Sequence, residues 1–443
     1  MSLATSSPRG GAAERIDPAH TPIAVVDIDL DDARVTEAGG AATAACAPGQ
    51  AVFGLVRLHR RPIGVLATRI SASGEGPVEL IKLAWDHCAA AVSVHCEDDE
   101  AVGGSCARAR QRMLLDPPRV SVIVATRHRA ESLARCLDSL LRMPYPDLEI
   151  IVVDNDPADS VTADLISARY RDRVHYAVEP RRGLACAHNH ALALASGSIL
   201  AFTDDDVVVD PDWAAALVEA FRSRPGAGCV TGLILPARLE TRPQAMLERR
   251  GGYAKGFRLL EHSVTTPGTH PLFPFTAGRL GSGANMAFTA DALREIGGFD
   301  RALGTGTCAR GGDDLLAFFR VATAGYAIVY QPDALVWHHH RREIGALAQQ
   351  ARGYGVGLGA YLTAALVHEP RMIAALVRKL PRGVAYAFGN SRGDAADPVA
   401  WPARLARLER YGLCLGPFAY ARSRRRARKA ARNTPASPGG GRV

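Results

Sequence analysis

Along the middle of the chain two patterns alternate. Unbroken apolar, β-branched runs at residues 120–126, 148–155 and 199–204 each stop abruptly at polar or acidic positions. Between them, apolar residues recur at helical spacing, as Leu133, Leu137, Leu140 and Leu141 do within residues 131–142. Residues 160–170 and 183–195 read as further helices, and residues 174–178 as a strand between them. Strands that alternate with helices predict βαβ units and an α/β fold, a Rossmann-like, mostly parallel sheet flanked by helices. Ligands of such open sheets sit at the carboxyl ends of the strands. Thr126, Asp154 and the run Asp204, Asp205, Asp206 all fall at such ends.

That acidic run carries the first chemistry. Side chains alternate faces along a strand, so Asp204 and Asp206 point the same way. Two hard oxygen donors there suit Mg2+ or Mn2+, and such an ion commonly holds a diphosphate. The competing reading is an acidic turn. A second pair of acids, Asp313 and Asp314, opens an apolar segment that reads as a helix, where a plain cap looks the same. Asp210, before Pro211, has the signature of a helix N-cap and is assigned a structural role.

Beyond the alternating region the pattern changes. Residues 1–19 are polar and predicted disordered. Residues 20–107 carry three strand-like runs and a helical stretch at 78–91, a small α+β domain of no evident chemistry. Residues 108–118 are the expected linker and residues 117–342 the alternating domain. Residues 343–421 are predicted helical and a candidate for membrane association, and residues 422–443 a basic disordered tail. The net charge is +8, and much of it lies in the run 422–432. Beside an amphipathic helix that run suits anionic lipid. No aromatic stacking set is interleaved with it, so nucleic acid is not an expected partner. No apolar run approaches the ~18 residues of a membrane span. The nine cysteines are scattered and odd in number, and no signal peptide is visible. A cytoplasmic place, peripheral on the inner face of a membrane, is the expectation.

The segments VSVIVATRHR, EIIVVDND, GLACAHNHALALASGSILAFTDDD, GSGANMAFTADALREIGGFD and GGDDLLAFFRVATAGYAIVYQPDALVWHHH occur in that order. Together they resemble glycosyltransferase family 2, nucleotide-sugar-dependent enzymes of the GT-A fold, over residues 120–340. The resemblance implies transfer from a nucleoside-diphosphate sugar to an acceptor hydroxyl, with inversion and Mn2+ or Mg2+ as cofactor. The implied acceptor, if the chain meets a membrane, is a lipid-linked or cell-surface glycan.

The same resemblance distributes roles. Thr126, Arg129 and Asp154 would contact the nucleoside, although Asp154 could equally hold an Asx turn with Asn155 and Pro157. Arg182, ahead of a helix, would meet the anionic donor, and a solvated arginine pair is the alternative. Asn189 matches the family pattern, whereas His188 stands where an arginine is usual. Asp206 would hold the metal with His338 as a further ligand, Asp204 would touch the ribose or the metal, and Asp205 would touch the donor. Gly283 and Asn285 would form the acceptor-side loop. Asp314 would be the base and Asp313 its partner acid, because an alcohol is a poor nucleophile at neutral pH. The glycine-rich residues 304–312 suit a lid. Two other functions compete. A nucleotidyltransferase would need a glycine after the first strand, where residues 125–129 have none. A non-catalytic glycan- or partner-binding protein would need neither Asp206 nor Asp314.

Overall fold

The computed structural model describes residues 16–40, 42–101, 110, 113–264, 270–379, 381 and 401–433. The first fifteen residues, residues 108, 109, 111 and 112 of the expected linker, and the last ten residues of the expected tail lie outside these.

The amino-terminal unit is a four-stranded sheet, β1 (Ala24–Asp29), β2 (Arg34–Glu37), β3 (Ala51–Leu58) and β4 (Arg61–Arg69), in the order β2-β1-β3-β4. One face is covered by α1 (Pro77–Ala101), through Leu80, Ala84 and Cys88 against Ile28, Val56 and Leu66. The other face, with Phe53, Leu55 and Ala67, packs on Leu233, Leu235 and Trp337 of the large sheet. Residues 16–19, expected to be disordered, are ordered here. Ile16 is buried in that same junction and its carbonyl accepts from Arg249.

The large unit follows in chain order: β5 (Val120–Thr126), α2 (Ala130–Leu140), β6 (Leu148–Asn155), α3 (Val161–Arg169), β7 (His175–Glu179), α4 (Leu184–Leu192), β8 (Ile199–Asp204) and β9 (Val207–Val209). Next come α5 (Trp213–Ser223), β10 (Ala227–Pro236), α6 (Arg242–Arg249), β11 (Leu260–His262), β12 (Asn285–Thr289), α7 (Ala290–Glu295), α8 (Asp313–Thr323) and β13 (Ala327–His338). The sheet order is β11-β13-β10-β12-β8-β5-β6-β7, with β9 on β13. The half formed by β8, β5, β6 and β7 is parallel. Between that half and the parallel pair β10–β13, β12 runs antiparallel to both its neighbours.

The β-branched runs are strands buried on both faces, which is why they read as continuous rather than alternating. Val120, Val122 and Val124 join one core with α2 and α5, while Ile123 joins the opposite core with α4, α7 and α8. Each fully buried side chain of this kind contributes roughly 1.5–3 kcal/mol.

Two long helices complete the fold, α9 (Ile344–His368) and α10 (Ala403–Asn433). They cross at backbone contact: a Cβ on Gly416 would lie 2.5 Å from Gly359. The expected disordered tail is corrected over residues 422–433, which continue α10 as helix. Arginine, lysine and alanine are good helix formers, so charge alone does not melt the segment. Among the described residues no helix is long and apolar enough to cross a membrane.

Candidate active site

Strand β8 delivers its acids at the carboxyl edge of the parallel half, and the following residues turn back into β9. Asp204, Asp206 and His338 each place one donor atom within 4.8 Å of the others. His338 Nε2 is 3.4 Å from Asp206 Oδ1. Its Nδ1 lies 2.9 Å from Nδ1 of His340, whose Nε2 lies 2.6 Å from Glu248 Oε1. This chain of partners is satisfied if Glu248 accepts from His340 and His340 accepts from His338. The Nε2 lone pair of His338 then faces Asp206, as a metal ligand requires.

Burial lowers His338, but Asp206 and then Asp204 overcome it and raise the ring, so a metal ion would take the place of the Nε2 proton. Burial, and then the neighbouring Asp206 carboxylate, push Asp204 up to about 7. Burial works against the Asp206 charge too, but His338, Arg129 and Arg341 overcome it and hold that carboxyl well below the ordinary range. The buried Asp206 and half-buried Asp204 carboxylates with the His338 imidazole form a donor set that a divalent cation fits.

Asp205 points elsewhere. Its oxygens accept from Thr126 Oγ1 at 2.8 Å and Arg129 Nη1 at 3.0 Å, and Arg129 Nη1 also reaches Asp206 Oδ2 at 3.0 Å. Thr126 and Asp205 are thus bonded to each other, and Asp205 to Arg129. Asp205 lies in the turn after β8, where its carboxylate ties that turn to the end of β5 and shares Arg129 with Asp206. Asp154 is buried at the tip of β6. Its Oδ2 accepts from Tyr176, and its Oδ1 has no partner among the described residues. Arg182 is exposed at the amino end of α4, whereas Arg181 is paired with Glu179.

Two asparagines are engaged in packing. The Asn189 amide donates to the Phe299 carbonyl and accepts from its N–H, at 2.7 and 2.9 Å, bracing α4 against the loop after α7. Asn285 is fully buried. It accepts from Trp213 Nε1 and donates to the carbonyls of Leu233 and Ala334, joining β12, β10 and β13. The Asn285 amide has both N–H groups committed to these carbonyls. Asp210 is structural as expected, but not as the cap of α5. It accepts from Asp212 N–H and from Arg57 Nη2 of the amino-terminal unit. His188, where the family pattern has arginine, is buried between Phe202 and Phe299 and is driven down to about 3 by burial.

The second pair of acids meets the first. Thr203 pairs with Asn285 across β8 and β12, and its hydroxyl donates to the Ala284 carbonyl. One residue further, Gly283 N–H donates to Asp314 Oδ2 at 2.9 Å. Burial raises Asp314, against the N–H bonds of Leu315 and Gly283. Asp313 is nearly buried, and burial, then Asp314, then Asp204, push it up to about 8. Gly304 must be glycine for this packing: its φ is +91°, and a Cβ would stand 3.1 Å from the Asp313 carboxyl carbon.

Glu248, His340, Arg341 and Tyr253 also belong to this crevice. Arg341 lies 3.8 Å from Asp206, and the Tyr253 ring sits edge-on to His338. His340 was visible as the residue two beyond His338 on the same face. Glu248 gave no signal, since it lies about ninety residues away in sequence. A cavity of about 820 Å³ opens at the opposite edge of the sheet, beside Ser196, Arg320 and Arg424, and holds none of these acids.

Residues 121–282 match the family model for glycosyl transferase family 2. The glucosyl-dolichyl phosphate glucuronosyltransferase of Haloferax volcanii is 28% identical over 191 residues, 41% of this chain and 56% of that protein. The pre-mycofactocin glycosyltransferase of Mycobacterium tuberculosis is 27% identical over 315 residues, 68% of this chain and 61% of that protein. The chain thus spans little more than half the length of these relatives. A solved mannosyltransferase, PcManGT from Pyrobaculum calidifontis in complex with GDP-Man and Mn2+, aligns at a TM-score of 0.44 with 21% identity, over 70% of this chain and 93% of that one. Strand-end acids, the segment order and the family match converge on residues 121–282, the part of the chain that matches glycosyl transferase family 2.

Proposed function

We propose that the chain transfers a sugar from a nucleoside-diphosphate sugar to an acceptor hydroxyl, with inversion. The observation that carries this reading is the single crevice in which Asp204, Asp206 and His338 stand beside Asp313 and Asp314. The family match supports the reaction class. Asp154, with one unpartnered buried oxygen, would accept from the nucleoside, and Arg182 would meet the donor's negative charge. Asp204, Asp206 and His338 would hold Mn2+ or Mg2+, which supplies Lewis-acid neutralisation of the diphosphate.

Asp314 is the base. It takes the proton of the acceptor hydroxyl, whose oxygen bonds to the anomeric carbon. The bond from that carbon to the diphosphate oxygen breaks, and its electron pair leaves with the nucleoside diphosphate. Gly283 N–H keeps the Asp314 carboxylate aimed while its raised affinity for protons makes it a competent base. A glycan or lipid-linked acceptor is proposed on the strength of α10, described below. A thermal-shift screen of UDP-, GDP- and dTDP-sugars with and without Mn2+ tests the reading. We expect one nucleotide class to stabilise the protein only with the ion. Absence of any stabilisation in every combination would overturn it.

A further inference from the structure

A second cluster lies far from the strand-end acids in sequence. His59 sits in the turn between β3 and β4, and His95 and Asp99 are one turn apart on α1, on the same face. Three atoms form a triangle. His59 Nδ1 is 3.0 Å from Asp99 Oδ2, His95 Nε2 is 3.2 Å from His59 Nδ1, and His95 Nε2 is 3.9 Å from Asp99 Oδ2. Ligands about 2.0–2.1 Å from a tetrahedral ion stand roughly 3.4 Å from one another. The three observed edges bracket that value.

Hydrogen bonding alone satisfies the triangle poorly. A single proton on His59 Nδ1 would have to serve both Asp99 and His95. Without that proton, the Nδ1 lone pair would face the Asp99 carboxylate. Asp31 stands on the far side of the same ring, 3.6 Å from Nε2, and its carboxylate favours the proton there. The lone pair of Nδ1 is then turned inward. The turn itself is costly: His59 and Arg60 both adopt positive φ, 50° and 65°, where asparagine and glycine are usual.

We propose that His59, His95 and Asp99 bind a divalent transition-metal ion of the zinc type. Two imidazoles and one carboxylate suit zinc better than magnesium. The ion would pin the hairpin to α1. That hairpin carries Arg57, Arg60 and Arg61, which pair with Asp210, Asp212, Asp333 and Glu219 of the large unit. Metal at this site therefore stiffens the contact between the two units.

The test uses the full chain carrying Asp204→Asn and Asp206→Asn, which removes the carboxylates of the candidate active site. Loaded with zinc, passed over a chelating resin and measured by elemental analysis, it should retain one equivalent. Adding His59→Asn, which tolerates the turn, or His95→Gln should weaken zinc binding by more than about 100-fold, beyond the effect of losing an outer-shell partner. Cobalt loading should give the intense visible bands of a tetrahedral site, lost in the same variants, with circular dichroism reporting that each is folded. No retained zinc in the Asp204→Asn, Asp206→Asn protein, or retention indifferent to both histidine changes, would overturn the proposal.

Discussion

A carboxylate's neighbours decide its work, and the acids here differ by neighbour rather than by type. Asp205 is balanced by Thr126 and Arg129, Asp206 by His338, and Asp314 by two backbone N–H groups. Asp314→Asn should lower turnover by about 10²–10⁴-fold while leaving the donor-induced thermal shift unchanged. Normal turnover in that variant would remove the base assignment. Because burial raises Asp314, the proton must leave it before it can act. We expect kcat/KM to fall on the acid side with a midpoint above the ~3.9 of a free aspartate. Asn285→Ala should act differently. It strands the Trp213 indole and two carbonyls, so it should cost about 2–4 kcal/mol of stability, with KM for the donor unmoved in whatever fraction remains folded.

At the scale of elements, α10 has a face that no packing explains. Tyr411 and Phe418 are 58% and 76% exposed and stand seven residues apart. The same stripe continues through exposed Arg422, Arg425 and Lys429. Aromatic side chains followed by cations suit the boundary of an anionic bilayer. Replacing the three cations with glutamate should weaken binding to phosphatidylserine vesicles by at least about 1 kcal/mol per site. Co-sedimentation over a salt series measures this, and the wild-type binding should fade as salt rises. Equal binding of the variant and the wild type would remove the membrane from the proposal.

Across the whole molecule, the two units are joined by a buried network of arginines and acids. Arg61 and Arg110 hold Glu219, and Arg57 bridges Asp27 and Asp210. Burial opposes the Glu219 charge, but Arg110 and then Arg61 prevail and its carboxyl lies below the usual range. A depressed folded value contributes stability above the free value of ~4.3 and loses it as pH falls through the folded one. Thermal melts in acid should therefore show a loss of stability that Glu219→Gln flattens. Asp210→Ala should be severe near neutral pH, about 3 kcal/mol or more, since it removes one of the two carboxylates that hold a buried guanidinium.

Local pattern carried the strands, the helices of the alternating region and the acids at the strand tips, because side-chain period and buried β-branched runs are properties of neighbouring residues. The role of His338 came from the resemblance, and local pattern supplied only the strand leading to it. It could not assign Asp205, Asn189 or Asn285, whose partners come from other elements: Arg129, Phe299 and the carbonyls of two further strands. Nor could it find Glu248 behind His340, or the triangle of His59, His95 and Asp99. A hydrogen bond or a ligand set depends on distance in space, and only the packed chain brings residues tens or hundreds of positions apart to within three ångströms.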